Sequence, residues 1–329
     1  MSVSLYRAYL RQFNAKKFFN IILCRLSYWL SRCGLIWFKH SPCFVSIEPA
    51  NFCNLRCPQC PTGIGHNKSK KMLTIEEFST ILSFLPDTIH TIQFYFQGEP
   101  LLNPQLADMV AIAHKKNIVC IISTNAQLLT EETARKLISS GLDKIIISLD
   151  GLRQETYSQY RKGGRVDKAV YAIQYLSKQK RLLQANIEIE LQCLRLKSNE
   201  NEWQLLSRNY KQLGADSLRF KTAQFYDFEN GNELMPSNER FSRYKRLPNG
   251  TYKRKKPYYN HCYRLWSGCV IDSHLNIIPC CFDKDSAYSI GNLSTQSFNE
   301  IWYGAKAMSF RKKILSNRKQ IPICLNCNE

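Results

Sequence analysis

The spacing of apolar residues changes character along the chain. Near the N-terminus Phe19, Ile22, Leu23, Leu26, Trp29, Leu30 and Cys33 recur in steps of three and four, which is one face of an α-helix, so residues 1–42 read as a helical extension. Beyond it the apolar stretches shorten. Cys43–Glu48, Ile89–Phe96, Ile118–Ser123, Lys144–Leu149, Asn186–Gln192 and Ser217–Lys221 are brief and rich in Ile, Val and Phe, as strands buried on both faces are. Helical patterns separate them. Thr74–Leu85 opens with Thr74 and Glu77 as a capping box; Pro104–Lys115 and Thr130–Ser140 follow, the latter ended by Gly141. Val166–Gln179 and Glu200–Leu213 complete the alternation. Right-handed crossovers turn six such units into a parallel sheet with helices outside. Six units are too few to close an eight-stranded barrel. The predicted fold class is therefore α/β, a partial (β/α)6 TIM-like barrel over residues 43–230, with chemistry at the C-terminal ends of its strands.

Residues 231–260 break this pattern. They are polar and basic, carry Pro236, Pro248, Gly250 and the run Lys253–Lys256, and read as a linker or bridging segment. Residues 261–329 form a cysteine-rich second module, expected as a β-hairpin followed by short helices. The 329 residues suffice for one large and one small domain. The net charge of +20 suggests an anionic partner, whether nucleic acid, a membrane surface or an acidic substrate. No nucleic-acid recognition motif accompanies it, and a solvated surface is the ordinary use of such an excess. Arg25 and Arg32 interrupt the stretch Phe18–Phe38, which then lacks both the about 20 apolar residues of a spanning helix and the core of a signal peptide; the expected location is cytoplasmic. The extension has two uses open to it. Packed on the barrel, it buries Phe19, Ile22, Leu26 and Trp29. Docked peripherally on a membrane, it leaves them exposed, with Arg7, Arg11, Lys16, Lys17, Arg25 and Arg32 alongside.

The chemistry is carried by cysteine. There are 14, several in groups too tight for strain-free disulfides among themselves, and such groups point to metal in a reducing compartment. Asn51-Phe-Cys-Asn-Leu-Arg-Cys-Pro-Gln-Cys60 places Cys53, Cys57 and Cys60 directly after the first strand. Three thiolates hold three irons of a cubane and leave the fourth open, whereas most [4Fe–4S] clusters have four cysteine ligands. A zinc site completed by His66 is the alternative.

These residues resemble the radical S-adenosylmethionine superfamily, in which this spacing binds a [4Fe–4S] cluster whose open iron chelates S-adenosyl-L-methionine. The resemblance implies reductive cleavage of that cofactor to a 5′-deoxyadenosyl radical, which abstracts a hydrogen atom from a substrate. It also implies an electron donor such as flavodoxin or ferredoxin. Gln97-Gly98-Glu99-Pro100 is similar to the family's Gly-Gly-Glu-Pro segment, with Gln97 in place of the first glycine, and implies contacts to the cofactor's ammonium. Ser123-Thr124-Asn125 is similar to its Thr-Asn-Gly, with Ala126 in place of the glycine. Ser148-Leu149-Asp150-Gly151, with Tyr157 and Arg161 beyond, is similar to its Ser-x-Asp-Gly pattern. It implies that Ser148 and Asp150 meet ribose or substrate and that Arg161 meets the cofactor carboxylate. Asp-Gly after a strand is also an ordinary turn.

The C-terminal order Cys262, Pro279-Cys280-Cys281, Gly291-Asn292, Ile301-Trp302, Cys324-x2-Cys327 resembles a SPASM or twitch auxiliary domain in its one-cluster form. That implies a second [4Fe–4S] cluster on Cys262, Cys280, Cys324 and Cys327. Leu275 stands where that family usually has glycine, and a four-cysteine zinc ribbon is the alternative. The chain is similar to a bacterial group of such enzymes carrying Phe96–Pro100, Ser123–Ala126, Lys221–Gln224 and Cys280–Asp285. Cys281 and Cys269 remain as extra thiols: a replacement for Cys280, a hydrogen donor to a substrate radical, or small buried apolar groups. Gln192 and Lys221 end the fifth and sixth strands and are candidates for substrate contact. SPASM relatives often act on peptides, which makes a peptide the first expected substrate and a membrane-associated lipid or glycan precursor the second. A non-catalytic Fe–S electron carrier or zinc-binding interaction protein is the rival class; it needs neither the open iron nor the Gln97–Pro100 and Ser148–Gly151 motifs.

Overall fold

The computed structural model describes residues 3–65 and 69–327, the side chains of residues 3 and 4 excepted; His66, the alternative zinc ligand, lies outside them. Six strands, β1 (Phe44–Ile47), β2 (Thr91–Phe94), β3 (Val119–Thr124), β4 (Lys144–Ser148), β5 (Glu188–Arg195) and β6 (Ser217–Thr222), pair in parallel and in sequence order. Helices α3 (Ile75–Phe84), α4 (Leu106–Lys115), α5 (Glu131–Ser139), α7 (Val166–Leu182) and α8 (Trp203–Leu213) make the crossovers. Thr74 and Glu77 close their capping box on α3. A short α6 (Gln154–Tyr160) after β4 has no counterpart in the predicted elements; its seven residues fall below the length at which helical periodicity stands out. The main core lies between sheet and helices, with Ile92, Phe94, Ile122, Ile145, Ile147 and Ile189 from the sheet's outer face.

The C-terminal module does not merely rest on the barrel's open end. Its strand β9 (Gly268–Ile271) pairs in parallel with β1, Phe44 opposite Gly268 and Ile47 opposite Ile271. β10 (Asn276–Ile278) and β11 (Gly291–Asn292) extend the same sheet antiparallel, giving nine strands in the order β11-β10-β9-β1-β2-β3-β4-β5-β6. Short helices α9 (Arg264–Ser267) and α10 (Phe298–Trp302) and the longer α11 (Ala305–Asn317) complete it. Leu275, in the β9–β10 turn, has φ +66°, and Ala126 after β3 has φ +61°. Both positions keep the left-handed backbone that glycine serves more easily. The segment 231–260 is not a free linker. It forms the two-stranded β7 (Tyr244–Arg246) and β8 (Tyr252–Arg254), and Met235 and Tyr244 pack with Leu55, Cys57 and Tyr160.

The extension is two helices, α1 (Val3–Arg11) and α2 (Ala15–Arg32). Leu5 of α1 packs with Val119, Ile121 and Ile146 on the inner face of the sheet. Tyr9 stacks on His90 with centroids 4.7 Å apart, and Gln12 and Arg11 reach Asp143 at 3.4 Å. Packing of α2 separates the two arrangements open to its apolar stripe, and the stripe is not the face that packs on the barrel. The buried residues are Lys17, Asn20, Cys24, Ser27 and Ser31, whereas Phe19, Ile22, Leu26 and Trp29 are exposed. Among the described residues no helix is long and apolar enough to cross a membrane.

Inside the barrel Lys144 lies between two carboxylates, Glu190 at 2.6 Å and Glu188 at 3.4 Å, all three buried. Arg219 Nε, from a largely exposed side chain, also lies 3.4 Å from Glu190, but removing Lys144 still takes the buried cation from these two carboxylates, which costs up to about 3–5 kcal/mol. Lys144→Ala is therefore expected to lower the urea-unfolding free energy by about that amount, and Lys144→Ala/Glu190→Gln to recover part of it; an unchanged midpoint for the single variant would show that the triad is not electrostatically closed.

Candidate functional site

The loop after β1 carries Cys53, Cys57 and Cys60 at the C-terminal ends of the strands. Cys57 is buried and the other two partly so, packed among Leu55, Tyr160 and Phe225. Donors converge on their sulfurs: Leu55 N on Cys53 Sγ at 3.3 Å, Asn125 Nδ2 on Cys53 Sγ at 3.5 Å and Arg161 Nη1 on Cys57 Sγ at 3.9 Å. Hydrogen bonds and a cation beside sulfur suit ligating thiolates. Burial pushes the Cys53 thiol up to about 11, so in the cluster-free protein it stays protonated at neutral pH. The donor set, three thiols half-buried against apolar side chains with Asn125 and Arg161 beside them, fits an iron–sulfur cluster. Among the described residues no three Cys, His, Asp or Glu groups are drawn together as a site for a single metal ion.

Gln97–Pro100 packs directly on this loop. Gly98 has φ +50°, and a Cβ there would lie 2.0 Å from the Ala50 carbonyl oxygen and 2.8 Å from that of Phe52. Glu99 N donates to Phe52 O at 2.8 Å. The Glu99 carboxylate is fully buried and accepts from Thr124 Oγ1, from Asn125 N at 2.8 Å and from Leu101 N at 3.1 Å. Its visible work is to lock the ends of β2 and β3 together beneath the recess, not to stand open to a ligand. Pro100 starts a 3-10 turn. Gln97, whose backbone needs no positive φ, donates through Nε2 to Lys284 O at 2.7 Å and so ties the barrel to the C-terminal module.

Asp150 likewise turns inward. Its side chain is inaccessible, bound by Arg161 Nε at 2.6 Å and Leu194 N at 2.6 Å. It positions the guanidinium, and the expected ribose contact from Asp150 has no open oxygen to make it. Ser148 and Ser123 are partly accessible at the ends of β4 and β3, with Ser148 opposite Gln192 in register and Gln192 opposite Arg219. Lys221 stands at the rim of β6. Desolvation of its stem, and then the neighbouring cations Arg219 and Arg243, lower its pKa, while Glu190 and Cys281 raise it.

In the C-terminal module Cys262, Cys280, Cys324 and Cys327 are all buried. Cys280 packs with Cys262 and Cys324, while Cys281 is half-exposed and hydrogen-bonded to it. Cys269 is buried in the barrel core instead. Arg318, absent from the expectations, lies buried among Cys262, Cys327 and Cys324; burial lowers its pKa, but those thiols outweigh burial and raise it. An arginine in a C-terminal basic stretch gave no hint of this. Glu48, also missed, ends β1 and accepts from Gln97 N at 3.2 Å and Ser273 N at 3.1 Å. Burial pushes its pKa up to about 7 from an ordinary 4.5.

Comparison with known proteins places these features in context. Residues 47–182 match the radical SAM superfamily, and residues 262–328 match the SPASM iron–sulfur cluster-binding domain. An AdoMet-dependent heme synthase of Nitratidesulfovibrio vulgaris is 23% identical over 172 residues, 52% of this chain and 45% of the relative. A PqqA peptide cyclase of Bradyrhizobium diazoefficiens is 26% identical over 221 residues, 65% of this chain and 56% of the relative. The match thus spans about half the length of these curated relatives. Among solved structures, BtrN with AdoMet and 2-DOIA superposes with TM-score 0.58 at 21% identity, covering 89% of this chain and 95% of BtrN. Streptococcus suis SuiB bound to the precursor peptide SuiA gives 0.64 at 17%, covering 91% and 71%. At such identities the likeness is one of fold.

Two outcomes follow from the geometry. Gly98→Ala is expected to displace the cysteine loop and cut iron per chain after reconstitution by more than half. Gly250→Ala, with φ +83° and only an arginine tip 4.0 Å away, shares the backbone strain but not the clash and should load normally. Equal loading of both would refute the close-approach argument. For Glu48, the folded pKa lies above the unfolded one, so the folded state keeps the proton longer. Its favourable contribution is full below about pH 4.5 and lost as pH rises through about 7. Urea unfolding at pH 5 and pH 8 should show the parent losing up to about 3 kcal/mol relative to Glu48→Gln across that interval; parallel pH curves would contradict it.

Proposed function

The chain belongs to the radical S-adenosylmethionine superfamily and carries its SPASM domain, and from that premise we propose that it is an enzyme acting on an unreactive C–H bond, with a peptide as first substrate class. The observation that carries this reading is the convergence of Cys53, Cys57 and Cys60 on one recess at the strand ends, with Asn125 and Arg161 donating to their sulfurs. Those three cysteines would hold a [4Fe–4S] cluster with one open iron, and Cys262, Cys280, Cys324 and Cys327 an auxiliary [4Fe–4S] cluster. Bound there, the first cluster and S-adenosylmethionine would supply the 5′-deoxyadenosyl radical.

The chain's own residues supply binding and orientation. Arg161, held by Asp150, faces the recess and is the natural partner for a cofactor carboxylate. Glu99 fixes the turn after β2 against the end of β3, and backbone carbonyls of Gln97–Pro100, together with Asn125, would meet the cofactor's ammonium. Ser123 and Ser148 are open at the rim for ribose or substrate. Gln192, Lys221 and Cys281 are our candidates for substrate contact; Cys281 would quench a substrate carbon radical by giving up its thiol hydrogen atom, forming the C–H bond and leaving a thiyl radical on its own sulfur. Arg318 would offset part of the negative charge of the four thiolates. An electron donor such as flavodoxin or ferredoxin would deliver the reducing electron. The peptide reading is supported by the PqqA peptide cyclase and by the SuiB complex with its precursor peptide. A lipid- or glycan-linked precursor is the second reading, favoured by the exposed apolar face of α2.

Anaerobically reconstituted protein should contain about eight irons per chain and release 5′-deoxyadenosine when reduced with S-adenosylmethionine. The triple variant Cys53→Ala/Cys57→Ala/Cys60→Ala should keep about four irons and release none. Zinc in place of iron in the triple variant would overturn the auxiliary assignment, and deoxyadenosine from it would overturn the assignment of the first site.

A further inference from the structure

The N-terminal helices carry a surface that the proposed chemistry does not use. On α2 the buried row Lys17, Asn20, Cys24, Ser27, Ser31 and the exposed row Phe19, Ile22, Leu26, Trp29 lie on opposite sides of the helix, at about 100° per residue. The inward row is satisfied by specific polar contacts. Lys17 Nζ donates to Gln12 O at 3.1 Å and to Asn117 O; Asn20 accepts from Ser41 N at 2.9 Å and donates to Ser41 O at 3.0 Å; Ser27 donates to Trp37 O. Tyr28 meets His261 at 2.8 Å. The helix is therefore fixed by its polar side, and its aromatic side faces water by construction. Phe19 is 61% exposed, Ile22 44%, Leu26 47% and Trp29 58%. A soluble chain rarely offers so continuous an apolar patch without something to cover it.

The charge around the patch identifies what covers it. Residues 1–47 contain no Asp or Glu, and they contain seven Lys or Arg. Arg7, Lys16, Arg25, Arg32 and Lys39 are exposed among them, and the Arg32 guanidinium lies over the Trp29 ring at 4.7 Å. A second copy of the chain would bring the same cations against these and add no counter-charge. An anionic lipid surface satisfies both features, taking the aromatic row into the headgroup boundary and the cations against its phosphates.

We propose that α2 docks the protein peripherally on anionic lipid bilayers through Phe19, Ile22, Leu26 and Trp29, with Arg25 and Arg32 on the flank. The inference does not rest on the radical chemistry, because α1 and α2 contribute no residue to the cysteine recess.

The full chain, with its iron, is mixed with sucrose-loaded vesicles of 70:30 phosphatidylcholine:phosphatidylglycerol and with vesicles of phosphatidylcholine alone, and pelleted. Binding to the anionic vesicles is expected to be at least tenfold tighter than to the neutral ones and to weaken in 0.5 M salt. Phe19→Ser/Leu26→Ser/Trp29→Ser should lose at least tenfold, and Arg25→Gln/Arg32→Gln roughly five-fold for each cation removed. Both variants should keep the parent's thermal midpoint and iron content, since all five side chains are solvent-exposed. Failure of the parent to sediment with anionic vesicles, or equal sedimentation of the triple variant, overturns the proposal. So does a concentration-dependent dimer in sedimentation velocity that the triple variant abolishes, which would make the face a contact between copies.

Discussion

A buried carboxylate and a missing side chain hold the centre of this molecule. Gly98 lets the end of β2 approach the cysteine loop closely enough for Glu99 N to bond Phe52 O at 2.8 Å. Glu99 then extends its carboxylate to Thr124, Asn125 N and Leu101 N. Three segments distant in sequence are thereby fixed in one frame: the loop with Cys53, the turn after β2 and the end of β3. Asn125, set by that frame, donates to Cys53 Sγ. On the other side Asp150 steers Arg161 toward Cys57. Two buried acids thus act behind the recess, positioning the groups that face it. Burial raises the Glu99 pKa, a cost offset by three donors in fixed geometry.

The same frame reaches the C-terminal module. Strand β9 continues the sheet beside β1, Glu48 accepts from both Gln97 and Ser273, and Gln97 donates to Lys284 O. The Lys284 ammonium lies 4.4 Å from the centroid of Phe96. The residues that end β1 and β2 are consequently bonded to both modules. Strands of both modules thus share one continuous sheet.

Much of this was legible in the sequence, for identifiable reasons. Strands buried on both faces announce themselves as short Ile- and Val-rich runs, and β1 to β6 fall within or close to the expected stretches. The Thr74–Glu77 box marked the start of α3 by local chemistry alone. Cysteine spacing exposed the candidate ligands because it is a local property. Side-chain direction is not local. Glu99 was expected to meet the cofactor and Asp150 ribose or substrate; Glu99 accepts from Thr124 and Asn125 N at the end of β3 and from nearby Leu101 N, and Asp150 from Arg161 and from Leu194 N of β5. Glu48 gave no signal because its partner Ser273 lies 225 residues away in the chain, and Arg318 gave none because it stands in a basic stretch where nothing marks one cation as the buried partner of the thiols. On α2 the periodicity correctly gave a helix, but which face turns inward depends on polar partners such as Ser41 and Asn117, and no periodicity contains them.

We propose two iron–sulfur sites of different kind beside this sheet, one open to S-adenosylmethionine and one closed by protein thiols. Electron paramagnetic resonance of the dithionite-reduced protein, recorded before and after adding S-adenosylmethionine, tests this most directly. The account predicts two [4Fe–4S] signals, of which one changes its g-values on addition and the other does not. A single signal, or two signals that both ignore the cofactor, would contradict it.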